Sequence, residues 1–122
     1  VRRIAEAGVT VAVIGDVILD GWWNGRIERM SREAPAPVLE VTSRRYAPGG
    51  AANTALNLAS LGARVRIAGA VGDDEAGQTL RSMLDAAGVD TRLLLTIASR
   101  GTTTKNRIVC DDQILLRVDD VP

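Results

Sequence analysis

Lys105 and Arg107 stand two residues apart in the β-prone stretch Thr102-Thr103-Thr104-Lys105-Asn106-Arg107-Ile108-Val109. Alternate residues of a strand point to one side, so both charges meet the same surface. Adjacent cations repel unless they are solvated or share an anion, and phosphate is the anion that suits both. The competing reading is a solvated edge strand whose charges discourage aggregation. Lys105 is the single lysine among 15 basic residues, the other 14 being Arg. Arg117 and Arg29 are further cations that could join the pair.

Asp16 and Asp20 lie four residues apart where the apolar run Thr10–Ile14 ends. If the chain stays extended through Val17-Ile18-Leu19, the two carboxylates share a face. There they accept hydrogen bonds from ligand hydroxyls, or else one of them is a turn or cap residue. Gly49-Gly50-Ala51-Ala52-Asn53 opens a helical pattern. Glycines let backbone approach a ligand closely, and unpaired N–H groups at a helix start attract electronegative atoms. Asn53 adds a donor and an acceptor suited to sugar hydroxyls. The plainer alternative is that these glycines serve a turn and Asn53 faces solvent. The segment is neither a Walker A loop nor a GxGxxG fingerprint. Trp22-Trp23 either caps a sugar ring or packs its segment onto a neighbour. Asp73-Asp74-Glu75 reads as helix-start cap and dipole partners rather than a metal cluster. Asp119-Asp120 reads as a solvated strand end.

The elements that must position these residues alternate. Thr10–Asp16, prolonged to Gly21, reads as a buried parallel strand. Ala51, Ala55, Leu58 and Ala59 have helical spacing up to Gly62. Arg64–Gly72 is a second strand. Ala76, Leu80, Met83, Leu84 and Ala87 form a helix face closed by Gly88, and Val89–Ile97 supplies a third strand. That order predicts an α/β fold with a parallel sheet flanked by helices. Residues 22–47 break it, with β-prone stretches around Ala34-Pro35-Ala36-Pro37, and so does a hairpin turning at Asp111-Asp112.

Composition narrows the chemistry. The 122 residues carry 15 Lys and Arg against 15 Asp and Glu, so net charge gives no reason to expect nucleic acid or an anionic membrane. Aromatics are 2%, too few for a base-stacking platform. The absence of His excludes His-dependent triads and His-ligated zinc. Cys110 has no internal disulfide partner and reads as a small buried apolar residue, which points to a reducing, cytoplasmic setting. No apolar run approaches the roughly 18 residues of a membrane span, and no signal peptide is evident.

Taken together, these pieces resemble the ribokinase-like (PfkB-type) carbohydrate kinases. The family's N-terminal signature is matched by Gly49-Gly50-Ala51-Ala52-Asn53-Thr54-Ala55, with Gly62 and Gly72 at its later glycine positions. Within the family, Gly15-Asp16-Val17-Ile18-Leu19-Asp20, Met30–Val38 and Thr104-Lys105-Asn106-Arg107 resemble the D-glycero-β-D-manno-heptose 7-phosphate kinases. The resemblance implies a parallel sheet flanked by helices with an inserted β-lid, residues 22–47 and 100–120 being the lid strands and their neighbours. It implies ATP and Mg²⁺ as cofactors of the full-length enzyme and phosphorylation of the anomeric hydroxyl of a heptose 7-phosphate, toward ADP-heptose and lipopolysaccharide. It also implies a homodimer paired through its lids. By position, Asp20, Gly49, Gly50 and Asn53 hold sugar hydroxyls, while Lys105 and Arg107 hold the sugar's phosphate. The family's catalytic Asp and anion hole have no match here and are expected beyond residue 122, so these residues alone are expected to be inactive. Other readings are a ribokinase- or fructokinase-like enzyme acting on an unphosphorylated sugar, and a non-catalytic sugar-binding or dimerisation module.

Overall fold

The computed structural model describes residues 2–122. They form, in order, α1 (Arg2–Ala7), β1 (Thr10–Ile14), β2 (Val17–Met30), β3 (Pro37–Gly50), α2 (Ala51–Ser60), β4 (Arg64–Gly72), α3 (Glu75–Ala86), β5 (Asp90–Ile97), β6 (Thr103–Cys110) and β7 (Gln113–Asp120). Two sheets result. The first is parallel, in the order β1-β4-β5; the second is mixed, in the order β3-β2-β6-β7. The predicted alternation of strands and helices builds the first sheet, and the segments that broke it build the second.

Helices α2 and α3 cover one face of the parallel sheet because their apolar residues recur at helical spacing. Ile67, Leu80 and Leu84 are fully buried there, with Val13, Val65 and Leu94 close to it. Full burial of each large aliphatic side chain is worth about 1.5–3 kcal/mol relative to exposure. The opposite face carries Ile14, Leu93 and Leu95, exposed by 80%, 57% and 59%. Apolar residues on both faces are what a parallel sheet covered on both sides requires. No helix among the described residues is long and apolar enough to cross a membrane.

Two expectations need correction. Val17–Gly21 does not prolong β1. Gly15 N–H donates to Ala68 C=O, the chain bends at Gly15–Asp16, and Val17 then pairs with Gly50 in the second sheet. Asp16 and Asp20 therefore do not lie on one continuous strand. Strand β3 stays paired with β2 through Pro48-Gly49-Gly50, to its last residue. Pro48 is tolerated because β3 is an edge strand. Cys110 is half-buried rather than buried. The hairpin turn is as tight as predicted, with Asp111 and Asp112 at φ 50° and 61°, the pair of positive values that a type I′ turn needs.

Candidate functional site

Strand β2 lies between β3 and β6, so residues in register across them share a face. One row across the sheet is Ala47, Asp20, Lys105 and Asp119; the next is Arg45, Trp22, Arg107 and Arg117. Alternation puts both rows on the same side. The sheet thus brings together Asp20, Lys105 and Arg107, although 85 residues of sequence separate the first from the second.

Their pairing is specific. Arg107 Nη1 donates to Asp20 Oδ1 at 2.9 Å and to the Lys105 carbonyl at 3.2 Å. Both partners of the ion pair are shielded, at 20% and 21% exposure. The Arg107 guanidinium also lies 4.8 Å from the centre of the Trp22 ring, and Arg45 lies 4.2 Å from it on the strand at the other side. Arg117 is held by Asp119 through two bonds of 2.9 Å. Among the described residues, Lys105 and Arg45 have no ion-pair or side-chain hydrogen-bond partner; Lys105 is half-buried and Arg45 exposed. Arg29 makes only a long contact, 3.9 Å, with Glu40 and does not join the group.

The floor beside Asp20 is Gly49. A Cβ there would overlap Asp20 Oδ2, so the backbone approaches the carboxylate as only glycine permits. Gly50 follows at φ 57°, ψ −131°, a region that other residues avoid, and turns β3 directly into α2. Asp16 contributes through its backbone: its carbonyl accepts from Ala51 N–H at 2.8 Å, while its side chain is exposed in the bend. Asn53 is exposed in the first turn of α2. A carboxylate, a close-approach glycine, a helix start and a cation on one surface can bind a polyol that bears an anionic group.

The sequence profile of the pfkB family carbohydrate kinases matches residues 10–117. The chain belongs to that family. "Bifunctional protein HldE" of Pseudomonas aeruginosa is 50% identical over 109 residues, which are 89% of this chain and 23% of that protein. The protein of the same name from Nitrosococcus oceani is 49% identical over the same shares. The chain thus spans under a quarter of the length of these relatives. Among solved structures, a carbohydrate kinase from Agrobacterium tumefaciens has a TM-score of 0.74 and 28% identity, over 92% of this chain and 35% of that one. Arabidopsis thaliana ribokinase complexed with ribose and ATP has a TM-score of 0.75 at 17% identity, over 93% and 36%, and shares the fold. The fold of this pfkB-family chain is therefore ribokinase-like.

Two features of this pfkB-family chain were not foreseen. One is the Arg45–Trp22–Arg107 stack. Arg45 is plain in the sequence, but which face it occupies depends on the β2–β3 register and on its irregularity at Asn24/Gly25. The other anchors β6. Asp74 caps α3 by accepting from Gly77 N–H at 2.8 Å, and it also accepts from Thr102 N–H at 2.8 Å and Thr102 Oγ1 at 2.6 Å. Thr102 Oγ1 in turn accepts from Gly72 N–H at 2.8 Å. Burial pushes the Asp74 carboxyl up, but the bonds from Thr102 and Gly77 outweigh it and hold the group below its ordinary value. Asp73-Asp74-Glu75 thus supplies a cap, as expected. A cavity of about 300 Å³, lined by Trp23, Tyr46, Thr102 and Asn106, opens on the other face of the second sheet, away from Asp20 and Lys105. The Trp23 indole N–H is buried without a partner among the described residues.

Proposed function

We propose that this chain is the sugar-binding part of a kinase that phosphorylates the anomeric hydroxyl of a heptose 7-phosphate, on the way to ADP-heptose and lipopolysaccharide. The observation that carries the reading is the half-buried, unpaired Lys105 beside Asp20 on one face, in a chain half identical to HldE proteins. In this reading the second sheet is a lid over the sugar. Asp20 accepts from sugar hydroxyls, Gly49, Gly50 and Asn53 bring backbone and amide groups to the ring, and Lys105 neutralises the phosphate that the sugar already bears. Arg107 serves chiefly to aim Asp20, since its Nη1 is committed to Oδ1, and its remaining N–H groups can reach the phosphate.

The γ-phosphoryl group of ATP is the donor chemistry of such kinases. Among the described residues no group of three acidic, His or Cys side chains could hold a metal ion. The general base, the anion hole and the nucleotide site belong, on this reading, to the part of the kinase that these 122 residues do not span. The uncovered apolar face of the parallel sheet suits packing against that part. These residues alone are then inactive as a kinase, and the cytoplasm is where such an enzyme meets ATP and sugar phosphate.

Lids of two copies would pair through the face opposite Lys105, where Tyr46, Leu116 and Val118 are exposed by 36%, 58% and 47%. Leu116→Glu is then expected to convert a dimer to a monomer in sedimentation equilibrium; a species unchanged by the substitution rules out that face.

Binding tests the substrate assignment. Lys105→Ala is expected to weaken heptose 7-phosphate about 30-fold in calorimetric titration while changing the unphosphorylated heptose less than about twofold, since a charge-assisted contact to phosphate is worth ~2 kcal/mol. Equal losses on both ligands overturn the phosphate role and favour a kinase of an unphosphorylated sugar.

A further inference from the structure

We propose that Arg45 is a second ligand for the phosphate of the sugar and, with Lys105, forms a clamp that reaches across Asp20 and Trp22. This rests on the sugar-phosphate reading above and names a specificity-determining residue within it. The charges on the face lead to it. It carries four cations, Arg45, Lys105, Arg107 and Arg117, and two carboxylates, Asp20 and Asp119. Asp20 takes Arg107 and Asp119 takes Arg117. Lys105 and Arg45 are left, and two unpaired cations match a dianionic phosphate better than one.

Geometry allows both to serve. Arg45 and Lys105 are two strands apart and one two-residue step out of row, so their Cα atoms are about 12 Å apart by sheet spacing. Two long side chains leaning inward span that gap with room for one phosphate. The Trp22 ring keeps Arg45 from wandering. The guanidinium sits 4.2 Å from the ring centre, and stacking of this kind uses its flat face and leaves the N–H edge available to an anion. Arg107 against the same ring steadies Trp22 from the β6 side. An exposed cation is thereby held in place before any ligand arrives.

Calorimetric titration of the 122-residue chain with heptose 7-phosphate and with the unphosphorylated heptose tests it. Arg45→Ala is expected to weaken the phosphorylated sugar about 10-fold and the free sugar less than about twofold. Arg45→Lys, which keeps the charge but loses the flat face that stacks on Trp22, is expected to fall between the parent and Arg45→Ala. If Arg45→Ala weakens both sugars equally, the residue acts only through Trp22 and the clamp is overturned. If Lys105→Ala is selective for the phosphorylated sugar and Arg45→Ala has no effect, the clamp fails while the substrate reading stands. If neither substitution matters, or the parent chain does not bind heptose 7-phosphate, both fall together.

Discussion

Gly49→Ala is expected to weaken sugar binding at least 100-fold while the fold survives. The new Cβ would overlap Asp20 Oδ2 and come within 3.0 Å of Asp20 Cγ, so the carboxylate must rotate away. The clash is with the far end of a side chain, which turns about its χ angles without moving the backbone. Rotamer strain costs about 0.5–1.5 kcal/mol and loss of the Arg107–Asp20 pair about 1 kcal/mol more, so the fold is expected to survive. Binding suffers more because Asp20 cannot turn freely. Arg107 grips Oδ1 at 2.9 Å, and rotation either breaks that ion pair or drags Arg107 off Trp22. Either way the acceptor that the proposal assigns to the sugar hydroxyls is lost, and a buried polar group left unpaired costs about 1–3 kcal/mol, more where a charge is involved. Parallel titrations with heptose 7-phosphate and urea unfolding curves separate the two effects. Binding within about threefold of the parent would show that Asp20 is not the hydroxyl acceptor. Asp20→Asn on the Gly49 background keeps the shape, so its comparison with Gly49→Ala divides charge from position.

Much of this was legible in the sequence because it depended on local patterning. Ala55, Leu80 and Leu84 sit at helical spacing and are buried by the helices that spacing predicts. Gly62 and Gly88 end those helices at φ 93° and 78°. The same-side placement of Lys105 and Arg107 follows from a period of two and needs only that the segment be a strand. What the sequence hid was set by long-range register. That Asp20 faces Lys105 is decided by a parallel pairing between β2 and β6, and no local signal encodes which residues of two distant strands meet. The same register separates the two cations: with Asp20 opposite, Arg107 has a carboxylate to bind and Lys105 does not. Asp16 and Asp20 do not share a strand because Val17-Ile18-Leu19, apolar like Thr10–Ile14, belongs to the second sheet and not to a prolonged β1. The chain leaves the parallel sheet at Gly15–Asp16, where Gly15 N–H donates to Ala68 C=O and Asp16 C=O accepts from Ala51 N–H.

Thr102→Val tests how the two sheets are joined, and it is expected to cost about 2–4 kcal/mol in urea unfolding at neutral pH. Valine nearly matches threonine in shape, and the site is 2% exposed, so packing is retained while the hydroxyl goes. Two bonds disappear with it. The Asp74 carboxylate loses its 2.6 Å donor, and Gly72 N–H loses its acceptor in a place water cannot readily reach. Thr102→Ser, which restores the hydroxyl, is expected to recover most of the loss; an unchanged unfolding midpoint for the valine variant would show that the hydroxyl contributes nothing. The pH dependence has a definite sign. Asp74 titrates below its ordinary value of 3.8 when folded, so it contributes stability above that value and loses it as pH falls through the lower, folded value. The gap between parent and Thr102→Val is therefore constant from neutral pH down to about 5 and narrows below about 4. The same substitution reaches the face that carries Asp20 and Lys105. Thr102 immediately precedes β6 and stands three residues before Lys105, so its hydroxyl ties the start of that strand to Asp74 at the cap of α3 and to Gly72 at the end of β4, and only the backbone bond from Thr102 N–H to Asp74 survives in the valine variant. Releasing the tie lets β6 shift relative to the parallel sheet while its pairing with β2 persists. Heptose 7-phosphate should then bind more weakly to Thr102→Val even under conditions where the variant is fully folded, a loss that a purely local hydrogen bond would not produce.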